Sequence, residues 1–236
     1  LILFPFVTGQ HGFDKPLSSN QWIAFGSAIS RFHSATFPSQ MTAGIPREDY
    51  SPRWRSVVRS GLKRVFQETF DDPLALEFAA FMKNHAGKTS NLIHRAEHLA
   101  GLLQEQPREC ILCHGDMHAW NLLMVDDTTF YIVDWDTLIF APKERDLMFI
   151  GAGFGGGALS LEQEAALFYQ GYGAVEIDPL TLAYYRYERI LEDIAVFCEQ
   201  LLLSDEGGAD REQSLRYLKS NFLPGNTIEI AYKADR

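Results

Sequence analysis

A chain of 236 residues, 46% hydrophobic and 22% charged, is long enough to bury a core and is not of disordered composition. Its 31 acidic residues against 21 basic, a net charge of −10, argue against nucleic acid as a partner and are compatible with a cationic small substrate. Three cysteines make no disulfide framework, which fits a reducing cytoplasm, and no apolar run approaches the ~18 residues of a membrane span.

The opening LILFPFVTG reads as a short strand ended by Gly9; it lacks the basic residues that precede a signal core. A start on a strand, with no initiator Met and no polar leader, is the pattern expected of the back part of a longer chain. LSSNQWIAFGSAISRFHS follows, with Ser18 and Gln21 at capping-box spacing and Trp22, Phe25, Ile29 and Phe32 at helical intervals. Residues 38–50 are expected to be a loop, and Ser51-Pro52 to start a second helix. Further helices are expected over about 73–84 and 90–104. The period then changes: ECILCH is β-prone, and NLLMVDDTTFYIVDWD predicts a hairpin turning at Asp126-Asp127. Helical patterns resume over 161–172, 179–203 and 212–222.

The stretch CILCHGDMHAWN admits three readings. Cys-x-x-Cys-His is a haem-attachment pattern, but it needs both sulfurs on one side, whereas Cys110 and Cys113 lie on a strand, where residues three apart face opposite ways. His114 and His118 have zinc-ligand spacing, but only if both sit on one helix face; Gly115-Asp116 after a strand predicts a turn. The third reading is a kinase catalytic loop, with Asp116 five residues before Asn121. The hairpin supports it, because its second strand ends in VDWD and returns Asp134 to the side of Asn121. An Asp, an Asn and a second Asp at one hairpin end suit phosphoryl transfer: one carboxylate for the attacking hydroxyl, hard oxygens for Mg²⁺.

With HGDMHAWN, VDWD and APKERDL in place, the chain resembles the aminoglycoside phosphotransferase family, whose fold is that of the protein kinases. YYRYERILEDIA is similar to the substrate-side helices of its spectinomycin phosphotransferase-like branch. The resemblance implies an α+β, mostly helical protein: a kinase-like C-terminal lobe with a small β-hairpin carrying the catalytic and metal residues, and an N-terminal lobe absent from the chain. On that division residues 1–9 are a hinge strand, residues 10–236 the C-terminal lobe, and about 38–105 a helical insert.

The resemblance also implies roles. Asp116 matches the catalytic Asp, and Asn121 and Asp134 match the Mg²⁺ ligands. Asp136 lies near the metal as ligand or neighbour. Asp146 matches an Asp that braces the catalytic loop, and His114 packs beneath that loop. His118 either touches phosphate or the metal's waters, or is structural. By analogy the hinge backbone reads adenine, with the Phe4 carbonyl accepting and the Phe6 amide donating. ATP or GTP is the implied co-substrate. Gly115 stands where protein kinases carry Arg, which points toward a small-molecule acceptor. GAGFGG, residues 151–156, matches a nucleotide-loop pattern but follows a helix with no βαβ unit around it, so a flexible connection is expected.

Between Glu188 and Glu212 eight acids face only Arg189 and Arg211. An acidic wall of this kind would attract a polyamine-like sugar, although a solvated helix face explains most of these positions. Glu192 and Asp193 are the leading acceptor-binding candidates, with Glu188 beside them and Tyr185 as a ring to stack on a sugar. The resemblance implies an aminoglycoside or aminocyclitol antibiotic as the acceptor. A metabolite such as choline, homoserine or a sugar remains open, as does a non-catalytic binding lobe.

Overall fold

The computed structural model describes residues 6–153, 159–204 and 206–235. In chain order the elements are β1 (Gln10–His11), α1 (Ser19–His33), α2 (Ser39–Thr42), α3 (Arg53–Gln67), α4 (Pro73–Asn84) and α5 (Ala86–Glu105). Then come β2 (Ile111–Cys113), β3 (Leu122–Met124), β4 (Phe130–Ile132), β5 (Ile139–Ala141) and α6 (Glu144–Leu147), followed by α7 (Leu161–Tyr172), α8 (Pro179–Leu202), α9 (Gly208–Asn221) and α10 (Thr227–Ala234). Among the described residues no helix is long and apolar enough to cross a membrane. Two compact units divide the chain. The first takes the described residues of Leu1–Glu48 with Glu109–Asp178, and the second takes Asp49–Arg108 with those of Pro179–Arg236.

In the first unit α1 starts as its sequence demands. The Ser18 hydroxyl accepts from the Gln21 amide, and the Gln21 side chain accepts from the Ser18 amide, so two orphan donors are satisfied at once. The Gln21 amide nitrogen also donates to the Asp126 carbonyl, tying the helix start to the hairpin turn. Trp22, Phe25 and Ile29 face inward. α1 packs on α7 with almost no side chain between them. A Cβ on Gly26 would stand 2.0 Å from the Phe168 carbonyl oxygen, and one on Gly171 1.8 Å from that of Ile23. Only glycine allows that approach.

β1, β3 and β4 form an antiparallel sheet with His11 opposite Leu123 and Leu123 opposite Tyr131. At its turn the Asp126 carboxylate accepts from the Thr128 amide and hydroxyl and from the Thr129 amide, which pulls its pKa down to about 2. β2 pairs antiparallel with β5, Cys113 opposite Ile139.

The second unit is all helix. The 24-residue α8 runs through it and packs against α3, α5, α9 and α10. Arg55 of α3 is 2% exposed and meets Glu188 of α8 at 2.5 Å, while its other amino group donates to the Tyr50 carbonyl. Asp72 caps α4 and receives the buried Arg211 at 2.6 Å. Asp235 is held by Arg95 at 2.5 Å on both oxygens and by the Tyr187 hydroxyl at 2.9 Å.

Several expectations shift. Within LILFPFVTG, residues 1–5 lie outside the described residues, and 6–9 are not strand; the strand that forms is Gln10–His11, where a partner, β3, is available. The 38–50 loop contains the short helix α2. Pro52 sits at the N-cap, one position before the helix. α5 starts earlier than expected, at Ala86, and α9 at Gly208. β5 and α10 carry no strong local pattern and form because tertiary partners exist for them. Of GAGFGG, Gly151–Gly153 form a turn, with φ of 64° and 84° at the two glycines; the rest lies outside the described residues.

Candidate active site

β2 ends at Cys113, and the chain then turns sharply through His114, Gly115 and Asp116. Gly115 has φ +88°, and a Cβ there would lie 2.4 Å from the Thr137 carbonyl oxygen, so the residue that replaces the kinase Arg is one the backbone requires. The Thr137 hydroxyl donates to the His114 carbonyl from the same side. Asp146 holds the turn from below: its two oxygens accept from the His114 amide at 2.9 Å and the Gly115 amide at 2.8 Å. His33 Nε2 meets the same carboxylate at 2.9 Å, and its Nδ1 meets the Tyr172 hydroxyl at 2.8 Å.

His114 is fully buried and its tautomer follows from its partners. Nε2 faces the Val133 carbonyl at 2.9 Å and must donate; Nδ1 faces the Asp116 amide at 3.3 Å and must accept. Trp135 packs edge-on against the ring at 4.7 Å. The imidazole thus ties the turn that carries Asp116 to the end of the hairpin.

Asp116 is gripped by its own loop. The Asn121 amide donates to the Asp116 carbonyl at 2.8 Å and reaches its Oδ2 at 3.3 Å, and His118 Nε2 lies 3.2 Å from that same oxygen. Val133 donates to the Asn121 carbonyl at 2.9 Å, which carries Asp134 to this end of the sheet. Asp134 has φ 64°, a left-handed conformation rare outside glycine and strained enough to suggest a functional constraint. Burial first, then a hydrogen bond and repulsion from Asp136 and the charge of Asp116, push the Asp134 carboxyl above its ordinary value. A divalent cation would relieve the charge that Asp136 and Asp116 impose on Asp134, and the oxygens of Asp134 and Asn121 are hard donors of the kind Mg²⁺ takes, so these residues fit Mg²⁺.

Beside this cluster lies a pocket of about 260 Å³ lined by Val7, Leu123, Tyr131, Ile132, Val133, Asp134 and Trp135. Leu123 and Tyr131 are opposite each other in the sheet and share its face, so they make one apolar floor. The hinge residues named from analogy lie at the edge of the described residues. Phe4 lies outside the described residues, the Phe6 side chain is 94% exposed, and Val7 is the residue that lines the pocket.

The acceptor candidates divide. Glu188 is 5% exposed and paired with Arg55, and Tyr185 is 1% exposed with Tyr184 packed against it at 5.1 Å. Both are corrected to core residues, because helical period put them on the inward face of α8. Glu192 and Asp193 keep partial exposure, with Arg189 at 3.9 and 3.3 Å. Sequence reasoning missed His33, Tyr172 and Thr137. Thr137 reaches the turn directly, His33 through Asp146 and Tyr172 through His33, and no local pattern marks them.

The other readings of the opening stretch fall on the same geometry. Cys110 is exposed and Cys113 buried, so they cannot present two sulfurs together. His114 spends both nitrogens within the protein, and His118 faces Asp116.

Comparison with known proteins agrees. The sequence pattern of the phosphotransferase enzyme family matches residues 1–180. A crystal structure of a spectinomycin phosphotransferase in complex with ADP and spectinomycin is 36% identical, with TM-score 0.89, covering 98% of this chain and 70% of that one. The AMP-bound complex of such an enzyme is 37% identical, with TM-score 0.88, covering 98% and 72%. A choline/ethanolamine kinase family protein from Mesorhizobium loti, 15% identical over 97% of this chain and 72% of its own with TM-score 0.54, shares the fold. No curated protein sequence matches. The expectation of an absent N-terminal lobe is not confirmed by these matches. A kinase-like, mostly helical fold with few strands is shown, and the chain belongs to the phosphotransferase enzyme family.

Proposed function

We propose that this chain serves a cytoplasmic, Mg²⁺-dependent kinase that moves the γ-phosphate of ATP or GTP to a hydroxyl of an aminocyclitol or aminoglycoside antibiotic, with spectinomycin the leading acceptor and antibiotic resistance the consequence. The observation that carries this reading is the 36% identity, over 98% of the chain, to an enzyme crystallised with ADP and spectinomycin. The site's chemistry supports it. Asp116 orients the acceptor hydroxyl and takes its proton as the oxygen attacks. Asn121 and Asp134, with Asp136 near them, hold Mg²⁺, which supplies positive charge against the phosphates when bound. Asp146 and His114 keep the turn that carries Asp116 in one shape. Leu123 and Tyr131 offer the base an apolar floor, with the backbone of the segment from Phe4 to Phe6 as its hydrogen-bonding edge. Glu192 and Asp193 are the acids proposed to meet the ammonium groups of the acceptor.

The test incubates the full-length protein with Mg²⁺ and ATP, or GTP, and a panel of spectinomycin, other aminoglycosides, choline and homoserine. Products are read by mass spectrometry for the gain of one phosphoryl group. Phosphorylated spectinomycin is the expected result. Phosphorylation of choline or homoserine alone would overturn the acceptor class, and no product with any acceptor would overturn the activity.

A further inference from the structure

The surroundings of His118 say more than its place in the catalytic loop. Its Nε2 stands 3.2 Å from Asp116 Oδ2. An ionised carboxylate oxygen only accepts, so in this contact Nε2 is the nitrogen placed to donate. The Asn121 amide reaches that oxygen at 3.3 Å from its own direction. Two contacts on one oxygen, from His118 at 3.2 Å and from the Asn121 amide at 3.3 Å, restrict the rotation of the carboxylate.

The ring is itself held. The His118 amide donates to the Asp116 carbonyl at 3.1 Å, and its carbonyl accepts from the Asn121 amide at 3.0 Å, so His118 is carried by the turn it serves. Phe149 packs edge-on at 5.7 Å. Its remaining nitrogen, Nδ1, is buried without a hydrogen-bond partner. An imidazole kept only to fill space would be a poor choice, since an apolar ring packs there without stranding a nitrogen. One nitrogen is thus spent on Asp116 and the other faces the interior, which leaves neither directed at a phosphate.

We propose that His118 is a positioning residue: by donating from Nε2 it holds the Asp116 carboxylate in the rotamer that meets the acceptor hydroxyl. The proposal rests on the reading of Asp116 given above and assigns His118 a role other than contact with phosphate or metal-bound water. Misplacement of a catalytic group by about 1 Å can cost on the order of 10²-fold in rate.

The experiment compares wild type, His118→Ala, His118→Gln, Asp116→Asn and the His118→Ala/Asp116→Asn double variant in the full-length protein, with spectinomycin, ATP and Mg²⁺. His118→Ala is expected to lower kcat about 10- to 100-fold, with both KM values and the Mg²⁺ requirement nearly unchanged. His118→Gln, whose amide nitrogen can replace Nε2, should recover part of the loss. In the Asp116→Asn background His118→Ala should cost little more, because its target is already altered. Additive losses, or a raised Mg²⁺ or ATP requirement in His118→Ala, would overturn the proposal. A readout independent of turnover is the ring ¹⁵N spectrum of His118: a protonated Nε2 that shifts in Asp116→Asn is expected, and a proton on Nδ1 alone would overturn the assignment. If wild type phosphorylates no acceptor, the activity fails and the spectrum still decides the contact.

Discussion

Two sets of acids, one around the catalytic turn and one on α8, look alike in the sequence and differ in what they face. Asp136 and Asp116 bring their charges to bear on Asp134, whose carboxyl is raised by burial first and then by these neighbours. On α8 Glu188 has a guanidinium of its own, that of Arg55, whereas Glu192 and Asp193 share the single one of Arg189 at 3.9 and 3.3 Å and are only partly answered. Charge counted along a chain therefore does not measure charge presented to a ligand. A carboxylate beside another carboxylate calls for a cation from outside, whereas one with a guanidinium of its own has already been answered. Glu164 of α7 is a third case. It is 1% exposed, its Oε2 has no partner, and burial alone pushes its pKa up to about 7.

That contrast can be broken one carboxylate at a time. Glu188→Gln should have the largest effect, about 3–5 kcal/mol of lost stability, because it leaves Arg55 charged in the interior without a partner. Chemical denaturation measures it, and unchanged stability with a raised acceptor KM would return Glu188 to the ligand side. Asp116→Asn should leave folding intact and lower turnover by at least ~10²-fold, as read by phosphoryl transfer at saturating substrates. Near-wild-type turnover would remove Asp116 from its role.

Glu164 should show itself through pH. Its folded pKa lies above its unfolded one, so the native state binds the proton more tightly. Stability from this group is present below the unfolded value and is lost as pH rises toward 7. The loss is on the order of 2 kcal/mol. Denaturation midpoints across that window should slope downward in the wild type and flatten in Glu164→Gln.

The turn that carries Asp116 was legible because its geometry is local. Asp116 and Asn121 sit five residues apart in one loop, and a hairpin of fixed alternation returns Asp134 to them; spacing alone reports such an arrangement. The capping box at Ser18 and Gln21 was legible for the same reason. The support beneath the turn was not. Asp146 was foreseen through resemblance, but His33 reaches it from α1 and Tyr172 of α7 reaches His33 in turn, and these hydrogen bonds leave no pattern in the residues around them. Glu188 and Tyr185 were named as ligand candidates from an acidic run and a ring type, neither of which says which face of α8 meets the core, and both are buried.

What the sequence by itself determined, then, is the set of reactive groups and the short-range geometry that joins them, since turn, strand and helix periods are dictated by nearest neighbours along the chain. Tertiary structure decided which acids remain unanswered, which residues brace the turn, and why position 115 must be glycine. Those depend on the backbone of Thr137, the guanidinium of Arg55 and the imidazole of His33, groups brought into place only when distant segments pack.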